Sequence, residues 1–155
     1  MIKYMNLIGI KARKASEYKV TTEVKNKVLN DYAKLIKNEK KFIINQNSKD
    51  INYARKRGLK ENLIKRLHLN ENKLNGIINS ILKIAKLRDP INNTLEKWKR
   101  PNGLSIKRVS IPIGVIGVIY ESRPNVTSDV ASLCFKSGNV VILKGGSEAI
   151  NSNKA

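Results

Sequence analysis

Two short apolar runs constrain the fold more than any other feature of this chain. One lies in "GVIGVIYE" (114–121) and the other in "NVVILK" (139–144), and each is apolar on both faces, as in strands buried within a parallel sheet. The segment between them (125–136) has apolar residues at helical spacing, and Gly138 suits the end of that helix. The pattern predicts a β-α-β unit and an α/β fold with a parallel sheet.

The chain before residue 90 shows the period of helices instead. The boundaries that we predict are a first helix over Ile2–Tyr18, N-caps at Ser48 and Asn70, a short helix over Glu61–Leu67 and a stop at Asp89-Pro90. Two helices carry apolar stripes, one of Val24, Val28, Leu29, Tyr32, Leu35 and Ile36, the other of Leu74, Ile77, Ile78, Ile81, Leu82 and Ala85. After residue 90, "GLSIKRVSIPIG" (103–114) alternates as a strand exposed on one face does.

The predicted sheet is incomplete. The segment "GGSEAINSNKA" (145–155) predicts a turn that opens another helix, but no third strand follows it. Two parallel strands do not form a stable sheet alone. Either the N-terminal helices or a partner close an unusual small domain, or the chain is the N-terminal piece of a longer protein, which is the reading that we favour.

The charge of the chain raises the alternative of nucleic-acid binding. Thirty-one Lys and Arg residues against twelve Asp and Glu give a formal net charge of +19. The basic residues are mostly Lys, are scattered along the chain and accompany no recognition motif, so we expect no specific nucleic-acid partner. We also expect a soluble cytoplasmic protein: no eighteen-residue apolar run or secretory signal exists, and the single cysteine excludes an internal disulfide and a cysteine metal cluster.

Polar residues at the ends of the two predicted strands are the candidate site. Lys144 and the Gly145-Gly146 turn could hold an anion at a helix N-terminus, and Ser147 or Glu148 could bind a ribose hydroxyl. The alternative is a tight turn that needs small residues. Arg123 and Asn125 suit a carboxylate or phosphate, unless Asn125 is only a helix N-cap.

The segment from Trp98 to Asn153, above all "IPIGVIGVIYESRPNVT" and "KSGNVVILKGGSEA", closely resembles the γ-glutamyl phosphate reductase family within the aldehyde dehydrogenase superfamily. "NQNSKDINYARKRGLKENLIKRLHLNENKLNGI" fits as well, so the resemblance covers essentially the whole chain. It implies NADPH-dependent reduction of L-glutamyl 5-phosphate to glutamate 5-semialdehyde and phosphate, the second step of proline biosynthesis, by a homo-oligomer. It also implies that residues 91–155 begin an incomplete Rossmann-like NADP-binding domain, preceded by a helical region, residues 1–90.

The resemblance assigns roles to single residues. Lys144 matches the superfamily lysine that binds the adenosine-side ribose or its 2′-phosphate, and Ser147 or Glu148 matches the residue contacting the ribose hydroxyls, beside Gly145 and Gly146. Glu121 occupies the position of the superfamily asparagine of the oxyanion pocket, and Arg123 and Asn125 are candidates for substrate or pocket contacts.

The resemblance also predicts what the chain lacks. The family's nucleophilic cysteine matches a position beyond Ala155, and Cys134, on the apolar face of the predicted helix, does not match it. The isolated chain is therefore predicted to be an inactive, truncated or split form of the enzyme. The alternative within the family is a non-catalytic nucleotide-binding remnant.

Overall fold

The computed structural model of the protein describes residues 2–121 and 123–155 and shows an α/β fold, as the sequence predicts. Its helices are α1 (Ile2–Ser16), α2 (Thr22–Asn38), α3 (Lys40–Lys56), α4 (Glu61–Leu67), α5 (Glu71–Lys86), α6 (Pro124–Lys136) and α7 (Ile150–Lys154). Its strands are β1 (Thr94–Lys99), β2 (Ser105–Val109), β3 (Val115–Ile119) and β4 (Val140–Lys144), and a 3₁₀ turn covers Ser147–Ala149.

Helices α2, α3 and α5 enclose the main apolar core. The predicted stripe on α5 is confirmed, since five of its six members are buried and Leu82 is partly buried. The stripe on α2 is partly wrong, because Val24, Val28 and Leu35 are exposed and the buried face is formed by Lys25, Leu29, Ala33 and Ile36. A buried lysine on this face has a physical reason: its ammonium lies 2.8 Å from the Asp89 carboxylate.

Two of the predicted helix boundaries are confirmed, α1 ends at Ser16 rather than near the predicted Tyr18, and one N-cap is wrong. The short helix α4 has the predicted bounds, and the Asn70 side chain caps α5 by accepting a hydrogen bond from the Lys73 amide at 2.9 Å. The N-cap at Ser48 is wrong, because Glu39 alone separates α2 from α3 and the helix runs through Ser48. The Ser48 hydroxyl instead donates to the Ile44 carbonyl within the same helix, at 3.0 Å.

An antiparallel hairpin of β1 and β2 precedes the parallel sheet, with Trp98 opposite Ile106. The sequence predicts only the second of these strands. The segment "TLEKWK" shows no alternation that would indicate a buried face, and every residue of β1 is in fact exposed. Cross-strand pairing, rather than burial, therefore defines the first strand of the hairpin.

The predicted β-α-β unit is confirmed. Strands β3 and β4 pair in parallel, and α6 connects them and packs against β4. Gly138, predicted to end α6, has a φ of 69°, a conformation that glycine adopts without strain. Full burial of both strands is not observed: Ile119 is 82% exposed, because β3 and β4 have no further strand beside them among the described residues.

Buried lysines hold the elements together around the end of α5, and one of them joins the helical region to the β-α-β unit. Lys136 of α6 is buried and donates to the Ala85 carbonyl at the end of α5, at 2.9 Å, and to the Asn26 side chain of α2. Lys25 pairs with Asp89, which also accepts from Thr22 at 2.9 Å. Within residues 2–121 and 123–155, no helix combines the length and hydropathy that crossing a membrane requires.

Candidate functional site

The two parallel strands end at one edge of the sheet, which we call the carboxyl edge: residues 119–121 and 123–125 at the end of β3, and residues 144–148 at the end of β4. Ile119 lies opposite Lys144, and the Tyr120 amide donates to the Lys144 carbonyl at 3.1 Å. This register confirms the prediction that Lys144 lies at the carboxyl end of a parallel strand, on the same side of the sheet as Arg123. Ligands of open α/β sheets bind outside this edge.

Lys144 is an exposed cation of the carboxyl edge. Within the described part of the chain, its ammonium forms no ion pair. An ammonium without an internal counter-charge remains available to an anionic ligand.

Gly145 lies where two side chains leave no room for a Cβ. A Cβ at this position would come closer than 3.0 Å to Asn153 Nδ2 and would lie 3.0 Å from the Tyr120 hydroxyl. Both side chains are held in place, because Thr127 bonds to the Tyr120 hydroxyl at 2.6 Å and donates to Asn153 Oδ1 at 3.0 Å. The tight turn thus needs a glycine at 145 for packing, whatever else the loop does.

Gly146, Ser147 and Glu148 continue the loop, with Ser147 exposed and the other two partly buried. The Ser147 hydroxyl donates to Glu148 Oε2 at 3.3 Å, and the Glu148 carboxylate lies over Gly146. The next residue, Ala149, is fully buried in an apolar cluster with Ile51, Ala54, Ile64 and Leu67. The loop is therefore anchored at its far end to α3 and α4.

The helix N-terminus predicted to hold an anion is occupied by the protein itself. The α-helix begins only at Ile150, after the 3₁₀ turn. The buried Asp50 carboxylate of α3 accepts from the Asn151 and Ser152 amides at 3.1 and 2.7 Å, and from their side chains at 2.7 and 2.6 Å. These amides are therefore not free for a phosphate, but they are not the amides of the Gly145-Gly146 turn, so the prediction that Lys144 and this turn hold an anion stays a prediction.

The candidate residues after β3, Arg123 and Asn125, differ in the hydrogen bonds that their side chains already make. Arg123 is exposed at the N-cap of α6, and its side chain makes no capping hydrogen bond. The alternative role of Asn125 as N-cap is wrong because Pro124 already belongs to the helix, and the Asn125 amide donates to Asp129 at 3.3 Å. Ser122 lies outside the described residues.

Glu121 has a partner that sequence reasoning missed. Its carboxylate Oε2 lies 3.6 Å from Nη1 of Arg66, the penultimate residue of α4. The sequence contains no signal for this pair, since the two residues lie far apart in the chain and in different predicted elements. The packing of α4 against α3 and against Ala149, which follows the loop after β4, brings Arg66 to the carboxyl edge.

Comparison with known proteins gives the family. No family model matches the chain. Over 152 residues it is 48% identical to the γ-glutamyl phosphate reductase of Halothermothrix orenii, and over 155 residues 46% identical to that of Clostridium tetani. These alignments cover 95% and 99% of the chain. The chain belongs to the γ-glutamyl phosphate reductase family.

Solved reductase structures share the fold. The chain is similar to the γ-glutamyl phosphate reductase of Thermotoga maritima with a TM-score of 0.89 and 43% identity, over 93% of this chain and 35% of that one. For the reductase of Saccharomyces cerevisiae the TM-score is 0.90 at 34% identity, over 94% and 38%. The chain spans about a third of the length of the reductases that it matches, 36% for the two sequences above.

Cys134 lies inside the reductase-family fold. It is buried on α6, and burial raises the pKa of its thiol. A raised pKa keeps the thiol protonated at neutral pH, whereas a nucleophilic cysteine must ionise. The environment of Cys134 therefore supports the prediction that it is an inert thiol.

A cavity among the described residues lies away from the carboxyl edge. It has a volume of about 810 Å³ and is lined by the connection between α1 and α2, the Lys25–Asp89 pair and residues 138–141 at the start of β4. It thus opens at the amino end of the sheet. This cavity and the sequence-derived candidate residues therefore lie at opposite ends of the strands.

Proposed function

We propose that this chain provides the adenosine end of an NADP(H) site and part of the substrate-pocket floor of a γ-glutamyl phosphate reductase. The reaction is the reduction of L-glutamyl 5-phosphate to L-glutamate 5-semialdehyde and phosphate, in proline biosynthesis. The observation that carries the proposal is the shared carboxyl edge of β3 and β4 in a chain of this family. NADPH supplies the hydride when bound, and the residues of this chain bind and orient the reactants.

Lys144 is the residue that fits the cofactor. Its exposed ammonium suits the 2′-phosphate that distinguishes NADP from NAD, and Ser147 or Glu148 would bind the ribose hydroxyls beside it. Gly145 and Gly146 let the backbone run close beneath the nucleotide. The donors of α7 are bonded to Asp50, so the cofactor pyrophosphate has to be bound by residues other than these.

Arg123, Asn125 and Glu121 form the proposed substrate side. The Arg123 guanidinium suits the acyl phosphate or a carboxylate because of its planar pair of donors. The Asn125 amide retains a donor besides the one directed at Asp129. These groups line a floor, and a thiolate has to come from elsewhere, since Cys134 is buried.

The wider properties of the enzyme belong to the same proposal. We propose that the fold belongs to the aldehyde dehydrogenase superfamily. We also propose that the complete enzyme is a homo-oligomer located in the cytoplasm. We propose that the chain binds no specific nucleic acid despite its net charge of +19, because its lysines are dispersed along the sequence. Binding to DNA should then weaken steeply as salt rises, and sequence-selective nanomolar binding at physiological salt would contradict this assignment.

The cofactor assignment is tested by NMR titration of the ¹⁵N-labelled chain with NADP⁺ and NAD⁺. We expect weak binding that shifts the amides of residues 144–148 and favours NADP⁺, with Lys144→Met lowering NADP⁺ affinity about tenfold through loss of one charge contact. Lys154→Met, an exposed lysine on α7, is the matched control and should retain the affinity. Equal effects of the two variants would refute the role of Lys144.

The activity assignment is tested in the reverse direction, with NADP⁺, phosphate and glutamate 5-semialdehyde, by NADPH absorbance. The chain alone is expected to give no turnover above the buffer blank, because no ionised thiol faces the carboxyl edge in the described residues. Turnover that Cys134→Ser abolishes, in a folded variant, would overturn the assignment of Cys134. Turnover that appears only with a second polypeptide carrying the remaining reductase sequence would support a split enzyme.

A further inference from the structure

We infer that Arg66 and Glu121 together recognise the amino-acid head of the substrate, its α-carboxylate and α-ammonium. This inference rests on the proposed function, because it concerns the same carboxyl edge. It adds a residue from α4 to a site otherwise built from the ends of β3 and β4.

The backbone that carries Arg66 is fixed on both sides. The Lys73 ammonium bonds to the carbonyls of Lys65 at 3.2 Å and His68 at 2.6 Å, which flank it. The next residue, Leu67, is fully buried, and its carbonyl accepts from the Asn47 amide at 2.9 Å. Arg66 therefore projects from a rigid base, as a recognition residue requires.

The pair itself contributes little to the fold. The Arg66 and Glu121 side chains are 47% and 77% exposed, and their 3.6 Å contact is longer than a charge-assisted hydrogen bond. Ion pairs this exposed have little net effect on stability. Neither side chain is committed to burial or to a short internal hydrogen bond in the described residues, so both remain able to bind a ligand.

The chemistry of the two groups matches an α-amino acid. The guanidinium binds a carboxylate through two parallel donors, and the Glu121 carboxylate accepts from an ammonium. The two substrate groups are attached to one carbon atom, so they fit two protein groups that already lie 3.6 Å apart. A second carboxylate in place of the ammonium would face Glu121 and be repelled, which gives selectivity by charge.

The test is NMR titration of the 155-residue chain with L-glutamate, glutarate and 4-aminobutyrate, observing the Arg66 Nε–H signal. L-Glutamate is expected to shift this signal saturably and to bind about tenfold more tightly than either analogue, which lacks one of the two head groups. Glu121→Gln should reduce the preference for L-glutamate over glutarate to about threefold or less, since the charge that attracts the α-ammonium, which glutarate lacks, is removed. The control is Glu61→Gln, on the same helix as Arg66, and it should keep the preference for L-glutamate over glutarate.

The outcomes separate this inference from the proposed function. Equal affinity for L-glutamate and glutarate, no shift of Arg66 with any of the three, or an unchanged preference in Glu121→Gln would each overturn the inference. Binding of NADP⁺ at residues 144–148 is read from different signals in the same spectra. A cofactor site without amino-acid selectivity would leave the proposed function standing and remove the role of Arg66 and Glu121.

Discussion

Replacement of Asp50 by alanine should release α7 while leaving the main helical core folded. The Asp50 carboxylate accepts four hydrogen bonds from Asn151 and Ser152, at 2.6 to 3.1 Å. Hydrogen bonds to a charged group contribute about 1.5–3 kcal/mol each, so the four together set an upper bound of about 6–12 kcal/mol. Asn151 and Ser152 are only partly buried. Water therefore replaces much of what is lost, and we expect a cost of about 3 kcal/mol.

Amide hydrogen exchange measures this cost locally. Amides in the first turn of a helix ordinarily have no partner and exchange fast, whereas those of Asn151 and Ser152 are bonded to Asp50. A cost of about 3 kcal/mol corresponds to roughly 150-fold faster exchange of these two amides in Asp50→Ala. Asp50→Asn, which replaces one acceptor oxygen with a donor, should show an intermediate effect.

Two controls define the result that would refute the reasoning. Asp31→Ala removes an exposed aspartate of α2 and should leave exchange at Asn151 and Ser152 unchanged. Amides of α5 should keep their protection in Asp50→Ala, since the core of α2, α3 and α5 does not include α7. Unchanged exchange at Asn151 and Ser152 in Asp50→Ala would show that the carboxylate does not hold the helix.

Three further predictions concern other parts of the molecule. Lys25→Met should destabilise the protein by about 3 kcal/mol at neutral pH, measured by urea unfolding, because it leaves the Asp89 carboxylate largely buried without its cation. Burial alone would raise the pKa of Asp89, but hydrogen bonds, led by that from Lys25, lower it. The ionised Asp89 carboxylate thus stabilises the protein above its unfolded pKa of about 3.9, and this stabilisation is lost as pH falls through the lower pKa of the folded state. The difference in unfolding free energy between Lys25→Met and the parent protein should therefore shrink in acid. Gly145→Ala should cost about 1–2 kcal/mol because its Cβ displaces a hydrogen-bonded side chain, whereas Gly146→Ala, obstructed by one flexible carboxylate, should change thermal stability by less than about 0.5 kcal/mol. Cys134 should react with a disulfide reagent at the rate of unfolding, since its side chain is buried and burial also raises the pKa of its thiol.

Each of these predictions has a contradicting outcome. The exposed pair of Lys34 with Asp31 is the control for Lys25, and a loss as large in Lys34→Met would remove the argument from burial. Equal melting temperatures for the two glycine variants would show that the turn adapts. Fast labelling of Cys134 in the folded protein would show that α6 opens without global unfolding.

Periodicity predicted the parts of the fold in which neighbours in sequence share a face. The stripe of α5 and the β-α-β unit are of this kind. The hairpin strand β1 was missed because its residues are exposed on both faces and its order comes from pairing with β2. Lys25 was missed because hydropathy places a lysine outside, whereas a carboxylate beyond the end of α5 makes its burial possible.

The candidate site shows the same division. Lys144 and Arg123 could be predicted at one edge because parallel strands align their ends. Arg66 and Asp50 could not, because each meets its partner across a long stretch of chain through the packing of whole helices. Asp50 lies in the polar stretch "NQNSKD", where a solvated helix face was the natural interpretation.

The Asp50 contact also orders the assembly of the chain in time. About a hundred residues separate this carboxylate from its donors, as the spacings of 101 and 102 positions show, whereas Asn47 on the preceding turn bonds to the Leu69 amide 22 positions away. Closing a long loop costs more chain entropy than closing a short one, so the Asn47 contact is favoured to form first. As the ribosome delivers the chain from its N-terminus, α3, α4 and α5 pack while Asp50 is still hydrated. The carboxyl-edge loop therefore acquires its shape only after α3, α4 and α5 have packed, when α7 displaces that water.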